Sequence, residues 1–202
     1  MDLKGRDFIT LADFSREEIW HLLELARKLK VEHKNGITHT HLKGKILAMI
    51  FQKASTRTRV SFEAAMYHLG GLAMFLSKND LQIGRGEPIQ DTARVMARDT
   101  DGILIRTFAH REVLDLARYS DVPVINGLSD DFHPTQALAD LLTIWEHKGC
   151  LAGIKLAYIG DGNNMAHSLL LAGAIMGMEV VVASPQGYQP NPVIVDRAKH
   201  LA

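Results

Sequence analysis

A single cysteine, Cys150, among 202 residues excludes an intramolecular disulfide and suits a reducing compartment. No apolar run approaches membrane-spanning length, and the N-terminus lacks the apolar segment of a signal peptide. The expectation is a cytoplasmic protein with no membrane partner. Net charge is absent as well. The 23 basic residues balance 23 acidic ones, which leaves no overall field to attract nucleic acid. A basic site, if there is one, must be local and serve a small anion. What is present is the 47% apolar and 23% charged content of a globular protein, in a length that suits one large domain or two modest ones.

From Lys45 the chain alternates apolar runs of strand length with helical periodicity. The strand-like runs are residues 46–51, 72–76, 102–106 and 122–126, with helices expected near 56–69, 89–98 and 111–119. Such alternation implies a parallel sheet with helices on both faces, and right-handed crossovers put every strand's C-terminal end along one edge. Ahead of this region, Ser15-Arg-Glu-Glu18 reads as a capping box. Behind it Ile19, Leu22, Leu23, Ala26 and Leu29 form an apolar face. After Gly149 a second α/β unit begins, with strands at 155–159 and 179–183, a helix near 166–176 and a helical start at Pro192. The fold class is therefore α/β, two doubly wound parallel-sheet domains with the second incomplete. Residues 1–148, including a linking helix 134–148, form the first, and 149–202 the second. His39 and His41 have no Asp, Glu or Cys at ligand spacing, so no metal site is expected.

The chemistry concentrates in Phe51-Gln-Lys-Ala-Ser-Thr-Arg-Thr-Arg-Val-Ser-Phe-Glu63, a strand end, a short turn and a helix start. Ser55 is a natural N-cap, and Thr56, Arg57 and Thr58 fall in the first helical turn. Free N–H groups and the positive dipole end favour acidic side chains there. Arg57 and Arg59 occupy it instead, which makes sense if an anion is to be bound. Val60, Ala64, Met66, Tyr67 and Leu69 recur behind at helical spacing. Arg106 closes the third strand, and Asn126 with His133 follows the fourth, so three separated signals meet at one sheet edge. Pro134 suits the first helical position after His133, and Gln136 lies one turn on. A histidine there could equally serve as a helix cap. Gly160-x-Gly162 follows a strand, but Met165 stands where a dinucleotide fingerprint needs its third glycine. Residues 77–88, polar and with glycines at 84 and 86, read as an exposed loop.

Ser55-Thr-Arg-Thr-Arg59 resembles the carbamoyl phosphate motif of the aspartate/ornithine carbamoyltransferase family, and its flanks are similar to the ornithine branch. Ala54 departs from the usual proline without removing a ligand group. His133-Pro-Thr-Gln-Ala-Leu-Ala-Asp140 resembles the family's second signature. Leu81-Gln-Ile-Gly-Arg-Gly-Glu87 and Gly160-Asp-Gly-Asn-Asn-Met-Ala-His-Ser168 are again similar to the ornithine branch. The resemblance implies transfer of the carbamoyl group of carbamoyl phosphate to the side-chain amine of L-ornithine, giving citrulline and phosphate, within arginine metabolism. It makes Ser55, Thr56, Arg57, Thr58, Gln82, Arg106, His133 and Gln136 contacts of carbamoyl phosphate. Arg106, His133 and Thr58 would serve the carbonyl oxygen, and Asn164, with Asn163 beside it, would contact ornithine. It implies no metal or organic cofactor, and a homotrimer or multiple of trimers in which Gln82 reaches a neighbouring subunit. The first domain would then bind carbamoyl phosphate, and residues 149–202 would begin the ornithine-binding domain.

The family's Ser-Met-Gly and His-Cys-Leu-Pro segments occur nowhere in the 202 residues, so a fragment inactive on its own is expected. Two other readings stay open on sequence. One is a carbamoyltransferase for aspartate, putrescine or an acylated ornithine. The other is a non-catalytic carbamoyl phosphate or anion-binding domain.

Overall fold

The computed structural model describes residues 2–202, which pack as two compact units. One comprises residues 2–9 and 28–129, the other residues 10–27 and 130–202. The chain passes from one packed unit to the other at 9/10, 27/28 and 129/130. Within the second of these units the indoles of Trp20 and Trp145 meet edge-on at 5.1 Å, which holds the early and late helices together. Helix α1 (Arg16–Lys34) starts with a complete capping box. The Ser15 amide donates to Glu18 Oε2 at 2.8 Å, and the Glu18 amide donates back to Ser15 Oγ at 3.2 Å.

The larger unit holds a four-stranded parallel sheet in the order β2-β1-β3-β4. Its elements are β1 (Ile46–Phe51), α2 (Thr56–His68), β2 (Leu72–Ser77), α3 (Ile89–Asp99), β3 (Gly102–Arg106), α4 (His110–Tyr119) and β4 (Val124–Leu128). Central strands buried on both faces carry near-continuous apolar runs, and here the alternation of side chains sorts them into two cores. Ile50, Ile103, Ile105 and Val124 pack with Ala93 of α3 and Val113 and Leu116 of α4. Leu47, Met49, Phe51 and Leu104 pack with Met66 of α2.

Two expectations are corrected. In α2 the packed face carries Phe62 and Met66, while Val60 and Tyr67 are 57% and 80% exposed. Of the residues expected at helical spacing Met66 is buried, whereas Val60 and Tyr67 point to solvent. The fourth strand begins two residues later than expected and runs on past Asn126. Pro123 precedes it, and the Val124 amide is taken by Asp7 Oδ1 at 2.8 Å. Gly127 then lets the strand pass close over its neighbour, since a Cβ there would sit 3.2 Å from the Ile105 carbonyl oxygen and from Leu104. Asn126 is consequently a fully buried mid-strand residue whose Nδ2 donates to the Ile9 carbonyl at 3.0 Å.

The other unit contains α5 (Pro134–Lys148), β5 (Lys155–Ile159), α6 (Asn164–Met176), β6 (Glu179–Ala183) and α7 (Pro192–Leu201). Strands β5 and β6 pair in parallel, Lys155 opposite Glu179 through Ile159 opposite Ala183. Gly173 of α6 lies where a Cβ would approach Val180 to 2.2 Å, so the helix presses directly on one sheet face. A core of Phe132, Leu171, Ile194 and Ala198 joins α6 to α7.

Candidate functional site

The order β2-β1-β3-β4 means that the chain leaves β1 in one direction and returns to β3 on the other side. The crevice beyond the C-terminal ends of β1 and β3 is therefore the topological switch point, where ligands of open α/β sheets bind. The turn after β1 and the last residue of β3 both belong to the larger unit. They bring together Ser55, Thr56, Arg57 and Thr58 with Arg106.

Ser55 caps α2 as expected. Its Oγ accepts the Thr58 amide at 3.2 Å and donates to Thr58 Oγ1 at 3.1 Å. Arg106 Nη1 also donates to Thr58 Oγ1, at 3.4 Å. Thr58 Oγ1 thus accepts two hydrogen bonds and keeps its own proton to give. No acidic side chain lies in the first turn of α2.

The two arginines of the motif differ. Arg59 donates to Glu63 Oε1 at 2.9 Å and lies 3.7 Å from the Phe75 ring centroid, so its charge is engaged within the fold. Arg57 is exposed and forms no ion pair among the described residues. Burial first, and the Arg57 charge second, push the Arg106 guanidinium below the ordinary arginine range. Arg106 Nε is buried with no hydrogen-bond partner. A half-buried guanidinium with an unpartnered nitrogen and a like charge nearby is costly, and a bound dianion would lower that cost. Gln82 begins a 3-10 turn (Gln82–Arg85) after β2, with its side chain exposed.

In the other unit His133 precedes α5 but forms no side-chain cap, which removes the capping reading. Its amide donates to Ser168 Oγ at 2.8 Å, and Nδ1 lies 3.3 Å from Thr135 Oγ1. Gln136 Nε2 donates to Asp140 Oδ1 at 3.0 Å; burial nonetheless raises the Asp140 carboxyl. Asn163 caps α6, its Oδ1 accepting the Met165 amide at 2.9 Å and the Tyr158 hydroxyl at 3.3 Å. Asn164 is the first residue of α6, and its carbonyl accepts Ser168 Oγ at 2.8 Å. Gly162 is required by packing, since a Cβ would lie 2.1 Å from the Pro190 nitrogen.

Periodicity gave no hint of two further polar residues. His167 is buried on α6 and bridges two loops. Its Nε2 accepts the Asn191 amide at 3.0 Å and Nδ1 meets the Asp131 carbonyl at 3.0 Å, which makes it the neutral Nδ1–H tautomer. A His inside an apolar helix was the available signal. Glu32, seven residues before His39, brings Oε2 within 3.5 Å of His39 Nε2 and so supplies a carboxylate that the local spacing did not suggest. Among the described residues no group of three or more His, Cys, Asp or Glu is arranged for a metal.

Residues 6–146 match the family described as aspartate/ornithine carbamoyltransferase, carbamoyl-P binding domain, and residues 152–202 match its Asp/Orn binding domain. The chain belongs to the aspartate/ornithine carbamoyltransferase family. It is 62% identical over 202 residues to the ornithine carbamoyltransferase of Anoxybacillus flavithermus and 57% identical to that of Pyrococcus abyssi. In both cases the match covers 100% of this chain and 64% of the relative. The solved ornithine carbamoyltransferase from Pyrococcus furiosus matches 100% of the chain with a TM-score of 0.98 at 56% identity. The chain spans 64% of that protein too.

Proposed function

We propose that this chain binds carbamoyl phosphate at the switch point of its four-stranded sheet, as the first part of an ornithine carbamoyltransferase. The observation that carries the reading is Arg106, bonded to Thr58 at the capped start of α2 with its buried Nε unpartnered. No acidic side chain lies in that first turn, where Arg57 adds a second unpaired charge. Carbamoyl phosphate is a mixed anhydride whose leaving group is a doubly charged phosphate. An enzyme acting on it must hold the phosphate, polarise the carbonyl and place a neutral amine for attack. In this reading Ser55, Thr56, Arg57 and Thr58 hold the phosphate. Arg106, His133 and the remaining Thr58 proton serve the carbonyl oxygen, and Gln136 the carbamoyl nitrogen. Attack by the side-chain amine of L-ornithine, contacted by Asn164 and Asn163, forms the C–N bond of citrulline and releases phosphate.

The same reading assigns carbamoyl phosphate binding to residues 1–148 and the start of an ornithine-binding domain to 149–202, in line with the two family matches. It places the protein in the cytoplasm, in arginine metabolism, as a homotrimer or multiple of trimers with Gln82 serving a neighbouring subunit. The exposed Val60 and Tyr67, with Leu72 and Met74 on edge strand β2, support such an assembly. Among the described residues no helix is long and apolar enough to cross a membrane.

Titration calorimetry tests the site. A hydrogen bond to a charged group contributes about 1.5–3 kcal/mol, and two such bonds from Arg57 make Arg57→Ala weaken carbamoyl phosphate binding by roughly 10²-fold or more. Unchanged affinity in a folded variant removes the cradle. Turnover is assigned to a chain of the relatives' length. The 202-residue chain, given carbamoyl phosphate and ornithine, is expected to form no citrulline, and measurable citrulline would refute that assignment.

A further inference from the structure

The segments that follow β1 and β3 are tied to each other by one side chain that neither the motifs nor the family matches single out. Gln52 and Lys53 leave the end of β1, and both of their amides donate to the Arg106 carbonyl, at 2.9 and 3.3 Å. Beside them Gln52 Nε2 donates at 2.8 Å to Glu112 Oε2, on the first turn of α4. The same oxygen accepts the hydroxyl of Thr107, the buried residue that follows Arg106. One carboxylate therefore clasps the two chain segments that carry the anion cradle, Ser55 to Thr58 on one side and Arg106 on the other. A carboxylate is suited to the task because its charged oxygen accepts two donors at once, and the first turn of a helix favours negative charge. Glu112 touches neither Arg57 nor Thr58 by hydrogen bond; it acts on them through Gln52 and Thr107.

We propose that Glu112 is a positioning residue that sets the separation of the two halves of the carbamoyl phosphate site. The inference rests on the anion-site reading given above, but its test has a readout that does not. In the unliganded chain, Glu112→Ala should speed amide exchange at Gln52 and Lys53 by about tenfold or more as the clasp opens. Carbamoyl phosphate affinity, measured by calorimetry, should fall by about tenfold. Glu112→Gln keeps an oxygen that can accept both bonds, so it should restore most of the affinity and protection. A substitution that merely disturbed packing of α4 would not be rescued so selectively. Should Glu112→Ala fail to fold, Thr107→Val, which removes one of the two donors while keeping the shape, should reproduce the faster exchange. Unmodified chain that fails to bind carbamoyl phosphate defeats the functional reading, while the exchange data still decide the role of Glu112. Parent-like exchange at Gln52 and Lys53 in a folded Glu112→Ala variant overturns the proposal, as does equal damage from Ala and Gln.

Discussion

The two parallel sheets of this chain share a strand chemistry and differ in what covers them. In β1 the last five of six residues are buried, and in β3 the middle three are, because helices lie on both faces. In β5 and β6 every second residue is exposed, from Lys155 to Ile159 and from Glu179 to Ala183. Leu156, Tyr158, Val180 and Val182 turn inward, while Ile159 is 84% and Val181 46% exposed. The edges differ too. Segment 7–9 seals β4: the Phe8 amide donates to the Val124 carbonyl at 2.8 Å, and the Asn126 amide donates to the Phe8 carbonyl at 2.9 Å. Apolar residues that look alike in sequence thus stabilise one sheet fully and the other by half. A parallel strand contributes its whole apolar area only when both faces are covered.

The largest test of that contrast is a truncation in the covered sheet. Ile105→Ala should cost about 2–5 kcal/mol of unfolding free energy in urea denaturation, since Ile105 is fully buried among Val113, Leu116 and Val124. A cost below 1 kcal/mol would break the comparison.

Amide exchange sharpens it next. Strand β6 pairs with β5 alone, whereas β1 pairs on both sides, so β6 amides should exchange on the order of tenfold or more faster than those of β1. Equal protection would show that half-covered strands are held as firmly as covered ones.

A smaller effect concerns the sealed edge and has a definite sign in pH. Burial raises the Asp7 carboxyl, partly opposed by the Val124 amide that it accepts. The folded state then holds the Asp7 proton more tightly than the unfolded chain does. Stability is lost as pH rises from the ordinary aspartate range through the raised value. Asp7→Asn keeps an oxygen for Val124 and cannot ionise. It should flatten the pH dependence over that window and leave the protein somewhat more stable at neutral pH. Stability curves with the same pH slope for both proteins would count against this.

The smallest effect belongs to the uncovered face. Ile159→Ser should change stability of this chain by no more than about 0.5 kcal/mol, as for other exposed positions.

Much of the fold could be read locally. The bounds of β1, β3, β5 and β6 and the start of α2 at Thr56 coincide with the sequence expectations, because a run of apolar residues, a capping serine and a helix-starting proline act within a few residues of themselves. The Ser15–Glu18 capping box and the Ser55 cap are of the same kind. Ser55, Thr56, Arg57 and Thr58 could be placed together for a similar reason, since they are consecutive on one helical turn. Other features depended on residues brought from far along the chain. Periodicity set the spacing of apolar residues in α2 but not which face would be buried, which was decided by the β1 and β2 side chains packed against Phe62 and Met66. Glu63, four residues on, engages Arg59 locally, but the ring of Phe75 that also meets it comes from the neighbouring strand; Arg57 has neither partner. Asn126 became a core residue because Ile9, 117 positions away, accepts its amide. Glu112 meets Gln52 across 60 positions. Side-chain chemistry declares what a residue can bond to, and only the closing of the sheet brings the partner within reach.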